Sequence, residues 1–171
     1  MAVRTPVYVV CSPLGRAGKT LVARLFTEFI IADDRYVEAF DVNTDPPSLV
    51  DYLPGCARPA AIGDTYGQMA LFDRLIQNDG AAKVVDLGHG AFELFFRVLG
   101  QVGFIAEARR CHVQLVVLFV ANPGPVSVNA YAALQRSLDG MVLVPVHNEG
   151  LVRSQSRQQF PSMGAASLPL S

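Results

Sequence analysis

The chain has 171 residues, 51% of them hydrophobic and 17% charged, with a formal net charge of −1 at pH 7. That length suffices for one compact domain with a sizeable core, and so apolar a composition excludes an intrinsically disordered chain. The near-neutral charge supplies no overall electrostatic reason to bind nucleic acid or anionic lipid, so such a partner would need a local basic patch.

The first predicted element is a buried strand at Val7–Cys11. Its apolar run is short and ends in a glycine loop, unlike a signal peptide. A long helix follows over Lys19–Ala32. There Leu21, Val22, Leu25, Phe26, Phe29 and Ile30 recur at the helical period and predict a single buried stripe. Tyr36–Asp41 is a weaker strand. The stretch from Asn43 to Gly67 carries four prolines, Pro46, Pro47, Pro54 and Pro59, and reads as an irregular loop too long and broken for a simple connector, functional or mobile in character. Gln68–Gln77 is predicted helical, and Lys83–Asp86, extended by Leu87, is a buried strand. After it, the glycines of Gly88-His-Gly90 permit a mobile turn.

Phe92–Ala106 has almost no polar face, so it is either a buried helix or a surface that meets a partner, with Phe92–Ile105 the candidate contact. Arg109 and Arg110 read as solvated helix surface, as do Arg153 and Arg157. A strand at Gln114–Val120, a helix at Val126–Leu138 and a strand at Met141–Val146 complete the pattern. Short strands rich in Val, Leu and Phe without clean alternation suit a sheet buried on both faces. Their alternation with helices predicts a three-layer α/β/α sandwich with a mostly parallel central sheet, one domain over residues 1–171.

Cys11, Cys56 and Cys111 are widely spaced and odd in number, which fits a reducing compartment. No stretch approaches the roughly 18 to 20 apolar residues that span a bilayer, so a soluble cytoplasmic protein is expected. His89, His112 and His147 show no metal-ligand spacing with the cysteines.

The chemistry concentrates in Val7-Tyr-Val-Val-Cys-Ser-Pro-Leu-Gly-Arg-Ala-Gly-Lys-Thr20. Its order is buried strand, glycine loop, Lys-Thr, amphipathic helix. Unpaired amides at a helix N-terminus, with the helix dipole, attract phosphate. The loop and first turn, Gly15, Arg16, Ala17, Gly18, Lys19, Thr20 and Leu21, are therefore the candidate nucleotide-phosphate site. In that site Lys19 reaches the terminal phosphates and the Thr20 hydroxyl ligates Mg²⁺. The strict GxxxxGK[ST] pattern fails only at its first glycine, where Pro13 stands.

Leu14-Gly-Arg-Ala-Gly-Lys-Thr20 resembles the deviant Walker A loop, KGGxGKT, of the ParA/MinD-like ATPases, within the group of P-loop NTPases that includes nitrogenase iron protein and dethiobiotin synthetase. Phe40-Asp-Val-Asn-Thr-Asp-Pro46 is similar to the family's IDxDPQ segment with two extra residues between the aspartates. Val84-Val-Asp-Leu-Gly-His-Gly90 is similar to its Walker B and switch segment, IIDxPPG. Val144-Pro-Val-His-Asn148 stands where the family has a strand ending in a base-reading Asn. The family's signature lysine falls at Leu14 and its second glycine at Arg16, so Arg16 is either a replacement charge for the γ-phosphate or a surface arginine.

The resemblance implies ATP/ADP and Mg²⁺ as ligands and an ATP-dependent homodimer. It assigns the metal shell to Thr20, Asp41 and Asp86, the attacking water to Asp45, and the adenine edge to Asn148. Residue by residue, alternatives stay open: Asp86 could cap a turn, Asn148 could be turn punctuation, and His89 either touches the γ-phosphate or is an exposed loop histidine. The expected function is an ATP-binding, ATP-hydrolysing switch, with chromosome, plasmid or cellular positioning as the family's commonest role. The alternatives are a small-molecule phosphotransfer enzyme resembling dethiobiotin synthetase and a nucleotide-binding adaptor without turnover. The family continues beyond a final strand with a helix, and Gln158–Ser171 reads as the lead-in to that strand and helix.

Overall fold

The computed structural model describes residues 4–43 and 48–148 and the backbone of Leu168–Leu170. Strand β1 (Thr5–Cys11) leads through a loop to helix α1 (Lys19–Ala32), then to β2 (Val37–Val42), the one-turn α2 (Leu49–Tyr52) and β3 (Ala57–Pro59). Helix α3 (Thr65–Leu75) precedes β4 (Ala82–Leu87), a 3₁₀ turn (His89–Ala91), α4 (Phe92–Gln101) and α5 (Phe104–Arg110). The described chain closes with β5 (Val113–Ala121), α6 (Pro125–Ser137), β6 (Val142–Asn148) and β7 (Leu168–Leu170). The seven strands lie in the order β3-β2-β4-β1-β5-β6-β7, and every neighbouring pair is parallel.

Because successive strand residues face opposite sides, each central strand feeds two cores. Val7, Val9 and Cys11 of β1, with Val85 and Leu87 of β4, pack on the layer supplied by α3 to α6. Val10 and Val84 turn the other way, toward Val22, Ala23 and Ile30 of α1 and Leu49 of α2. Helices on both faces of a parallel sheet make the predicted α/β sandwich. Chain order also fixes where a ligand should sit. From β1 the chain crosses one face to β2, and from β4 it crosses the opposite face to β5, so the crevice opens at the carboxyl end of β1.

Three sequence expectations change. The buried stripe of α1 is Lys19, Val22, Ala23, Thr27 and Ile30, with Phe26 partly buried. Leu21, Leu25 and Phe29 instead stay exposed at 51%, 46% and 66%. The six apolar positions span too wide an arc for one helix to bury against one sheet. The Asn43–Gly67 region is not a plain loop among its described residues. It holds α2, begun by a Ser48–Asp51 capping box, and the edge strand β3, and Asp64 caps α3 through the Gly67 amide.

The third change concerns Phe92–Ile105 as a partner surface. The segment is two helices, broken where Gly103 takes φ 63°. Phe92, Phe95, Phe96, Val98, Leu99 and Phe104 are all buried. Phe95 packs against Phe72 and Phe96, with ring centroids 5.4 Å apart in both cases. These side chains are core, which leaves Val102 as the segment's one large hydrophobic in the exposed class.

Candidate phosphate-binding site

The loop at the end of β1 is shaped by residues that suit its backbone. Gly18, at the N-cap of α1, has φ +90°, a left-handed conformation that glycine adopts without strain. A Cβ there would also stand 2.7 Å from the Asn148 side-chain nitrogen. Arg16 has φ +56°, costing a non-glycine residue about 1–2 kcal/mol, and its side chain is exposed with no ion pair among the described residues. Val22 N donates to Gly18 O at 3.0 Å, the first intrahelical bond of α1. The Thr20 and Leu21 amides before it therefore have no intrahelical acceptor, and no side chain caps the helix. Leu21 contributes this backbone position while its side chain points to solvent.

Lys19 is 7% exposed, and its Nζ donates to Leu14 O at 2.7 Å. The ammonium thus arches over the Leu14–Gly15 end of the loop. Asp86 lies one strand over, its Cα in register with Val10 on one side and with Asp41 on the other. It is fully buried, and neither carboxylate oxygen meets full hydrogen-bond geometry with any partner. Burial pushes its carboxyl up from 3.8 to about 6. The Thr20 hydroxyl draws it down, the Asp41 charge adds to the rise, and the Lys19 charge opposes it.

Asp41 behaves differently. Its Oδ1 accepts from Asn43 N and its Oδ2 from Val50 N, both at 3.0 Å. It therefore braces the two flanks of the segment that contains Asp45, and Asp45 itself lies outside the described residues. Asn148, at the end of β6, comes to the back of the loop, where its Nδ2 donates to Ala17 O at 3.5 Å.

The fold brings together Gly15, Ala17, Gly18, Lys19, Thr20, Asp86 and Asn148, with Asp41 beside them. The Leu14 carbonyl is invisible to sequence reading, because a backbone acceptor carries no residue signal. Gly88 permits a close approach of backbone. It has an ordinary φ of −57°, and a Cβ there would stand 3.1 Å from Asn43 Cα and from Val42 O.

A divalent cation fits this donor set. A buried carboxylate without a fully formed hydrogen bond, next to a threonine hydroxyl, offers hard oxygen ligands. Mg²⁺ commonly takes one or two carboxylates and completes its shell with phosphates and water.

A parallel sheet flanked by helices, with a glycine loop running from the first strand into the first helix and β4 inserted between β1 and β2, has the arrangement of the P-loop NTPase fold. The chain is similar to the crystal structure of the signal recognition particle 54 kDa protein from Aeropyrum pernix K1 in complex with GDP. The TM-score is 0.56 and the identity 12%, over 92% of this chain and 37% of that one, so the chain spans well under half of that protein's length. No protein family model matches the chain, and no curated protein matches it. No described helix is long and apolar enough to cross a membrane.

Proposed function

We propose that the chain is a Mg²⁺-dependent ATP-binding switch of ParA/MinD-like type, acting as one nucleotide-binding unit over its length. The observation that carries this reading is the buried Asp86 carboxylate, short of a full hydrogen bond and set beside Thr20 and Lys19 at the mouth of a phosphate loop. A buried carboxylate whose burial is only partly offset costs stability, so a structural cap is a poor explanation for it. In this reading the amides at the start of α1 hold the phosphates. Lys19 exchanges the Leu14 carbonyl for a β- or γ-phosphate oxygen, a swap that needs little reorganisation because the ammonium already lies over the loop. Thr20 and Asp86 hold Mg²⁺, which when bound neutralises phosphate charge, and Asp41 supports that shell by fixing the adjoining loop.

Hydrolysis is assigned to Asp45 for the attacking water, with Arg16 as a further positive charge over the exposed face of the loop. Asn148 would leave Ala17 O to read the adenine edge. An ATP-dependent homodimer, and a role in positioning chromosomes, plasmids or other cargo, follow from the same likeness. A second reading, an adaptor that binds ATP without turnover, is favoured by one feature: an uncharged leucine stands at position 14, where the resembled loop carries its signature lysine.

Phosphate release from Mg-ATP and Mg-GTP, with light scattering in ATP and in ADP, tests the assignment. The switch gives slow release from ATP and a doubled mass in ATP alone. Tight ATP binding without release establishes the adaptor, and release from GTP alone overturns the adenine assignment.

A further inference from the structure

We infer that His89 is a contact for the terminal phosphate, a residue that lets this site distinguish a nucleoside triphosphate from a diphosphate. The inference rests on the phosphate-site reading above and adds a residue to it. The His89 ring lies over the loop: its Nδ1 and Cε1 are each 3.5 Å from where a Cβ on Gly15 would stand. With glycine at position 15, the imidazole can approach the loop backbone with nothing between them.

This is also the end of the loop where the Lys19 ammonium sits, since Lys19 Nζ is bonded to Leu14 O. A P-loop lysine engages the outer phosphates, so a group sharing its end of the loop faces the terminal one. An imidazole always carries at least one N–H, and a donor aimed at phosphate oxygen needs no further device.

Two features fix the backbone that carries the ring without burying the ring itself. On its N-terminal side, Gly88 is wedged against Asn43 and the end of β2, and Ala91 N closes the turn on Gly88 O at 3.0 Å. On its C-terminal side the turn runs directly into α4, whose Phe92 is buried in the core. His89 itself is exposed, so hydrophobic burial is not what keeps the ring over Gly15. Asp86, three residues upstream near the end of β4, brings the candidate metal carboxylate and this ring to the same end of the sheet.

The experiment measures the dissociation constants of a non-hydrolysable ATP analogue and of ADP, both with Mg²⁺, for the wild type, His89→Ala and His89→Gln. The wild type should prefer the triphosphate. His89→Ala should weaken the triphosphate by about 10- to 100-fold, as expected for one hydrogen bond to a charged group. Its ADP affinity should stay within about twofold by the same reasoning, because the contact concerns only the third phosphate. His89→Gln, which keeps an N–H donor, should recover part of the loss. Equal changes for both nucleotides, or none, would overturn the assignment while leaving the nucleotide site standing. If the folded wild type binds neither ligand, the phosphate-site reading fails first, and this inference falls with it.

Discussion

The substitution Asp86→Asn separates a metal carboxylate from a structural cap. Asp86 is fully buried, and burial pushes its carboxyl up from 3.8 to about 6. A rise of about two pH units corresponds to about 3 kcal/mol at 1.36 kcal/mol per unit. The folded state holds this proton more tightly than the unfolded chain does. Stability is therefore lost as pH rises from about 4 to about 6, and the full penalty persists at neutral pH. The asparagine side chain is nearly isosteric with aspartate and uncharged. The nucleotide-free D86N variant should therefore exceed the wild type by about 1–3 kcal/mol at pH 7 in EDTA, and by little at pH 4. The lower end allows for the lost attraction of the Thr20 hydroxyl. Urea denaturation of both proteins at the two pH values measures this. Subtracting the two curves cancels carboxylates such as Glu38, which its Arg74 hydrogen bond holds low. Adding Mg-ATP at 100 times its Kd should stabilise the wild type by about 2.7 kcal/mol and the variant far less. A variant less stable than the wild type at pH 7 in EDTA would refute the reasoning, because it would mean that contacts within the protein already compensate the charged carboxylate.

Phe95→Ala should cost about 3–5 kcal/mol in urea denaturation, since Phe95 is fully buried between Phe72 and Phe96; a cost below about 1 kcal/mol would return the α4 segment to the surface. Gly18→Ala should cost at least about 1–2 kcal/mol from its left-handed backbone alone. Adding Asn148→Ala should relieve only the steric share; full recovery by the double variant would show that the backbone conformation carries no cost. Lys83 is fully buried in β4, with its Nζ donating to Gln77 O at 2.7 Å and paired with Asp79. Lys83→Met should cost about 1–3 kcal/mol by the denaturation midpoint, and a second change, Asp79→Asn, should restore part of it.

The layered fold is legible in the sequence because buried parallel strands are short apolar runs and their connections are helices. Helix α1 begins and ends where the Lys19–Ala32 pattern places it, and the expected strands differ from the observed ones by one or two residues at most of their ends. Periodicity cannot decide which part of a broad apolar arc will be covered. Leu21, Leu25 and Phe29 follow the same spacing as Val22, Phe26 and Ile30, yet only the second set meets the sheet. The Phe92–Ile105 segment is ambiguous for a related reason: an apolar helix reads alike whether its cover is its own sheet or another protein. Within the site, the loop and Asp86 are readable because strand, loop and helix fall in the order that phosphate binding requires. The meeting of His89 with Gly15, of Gly88 with Asn43 and of Asn148 with Gly18 is not, since each depends on strand order that joins residues distant in sequence.

Whether the loop at Gly15–Leu21 holds nucleotide phosphates is decided by calorimetric titration of Mg-ATP and Mg-GTP into the wild type and Lys19→Ala. Lys19 is bonded to Leu14 O and its charge acts on Asp86, so a denaturation curve of Lys19→Ala is recorded beside the titration to establish that the variant is folded. Selective ATP binding by the wild type, lost in the variant, is the expected result. Equal binding by both proteins, or none by a well-folded wild type, would contradict a phosphate-binding role for this loop.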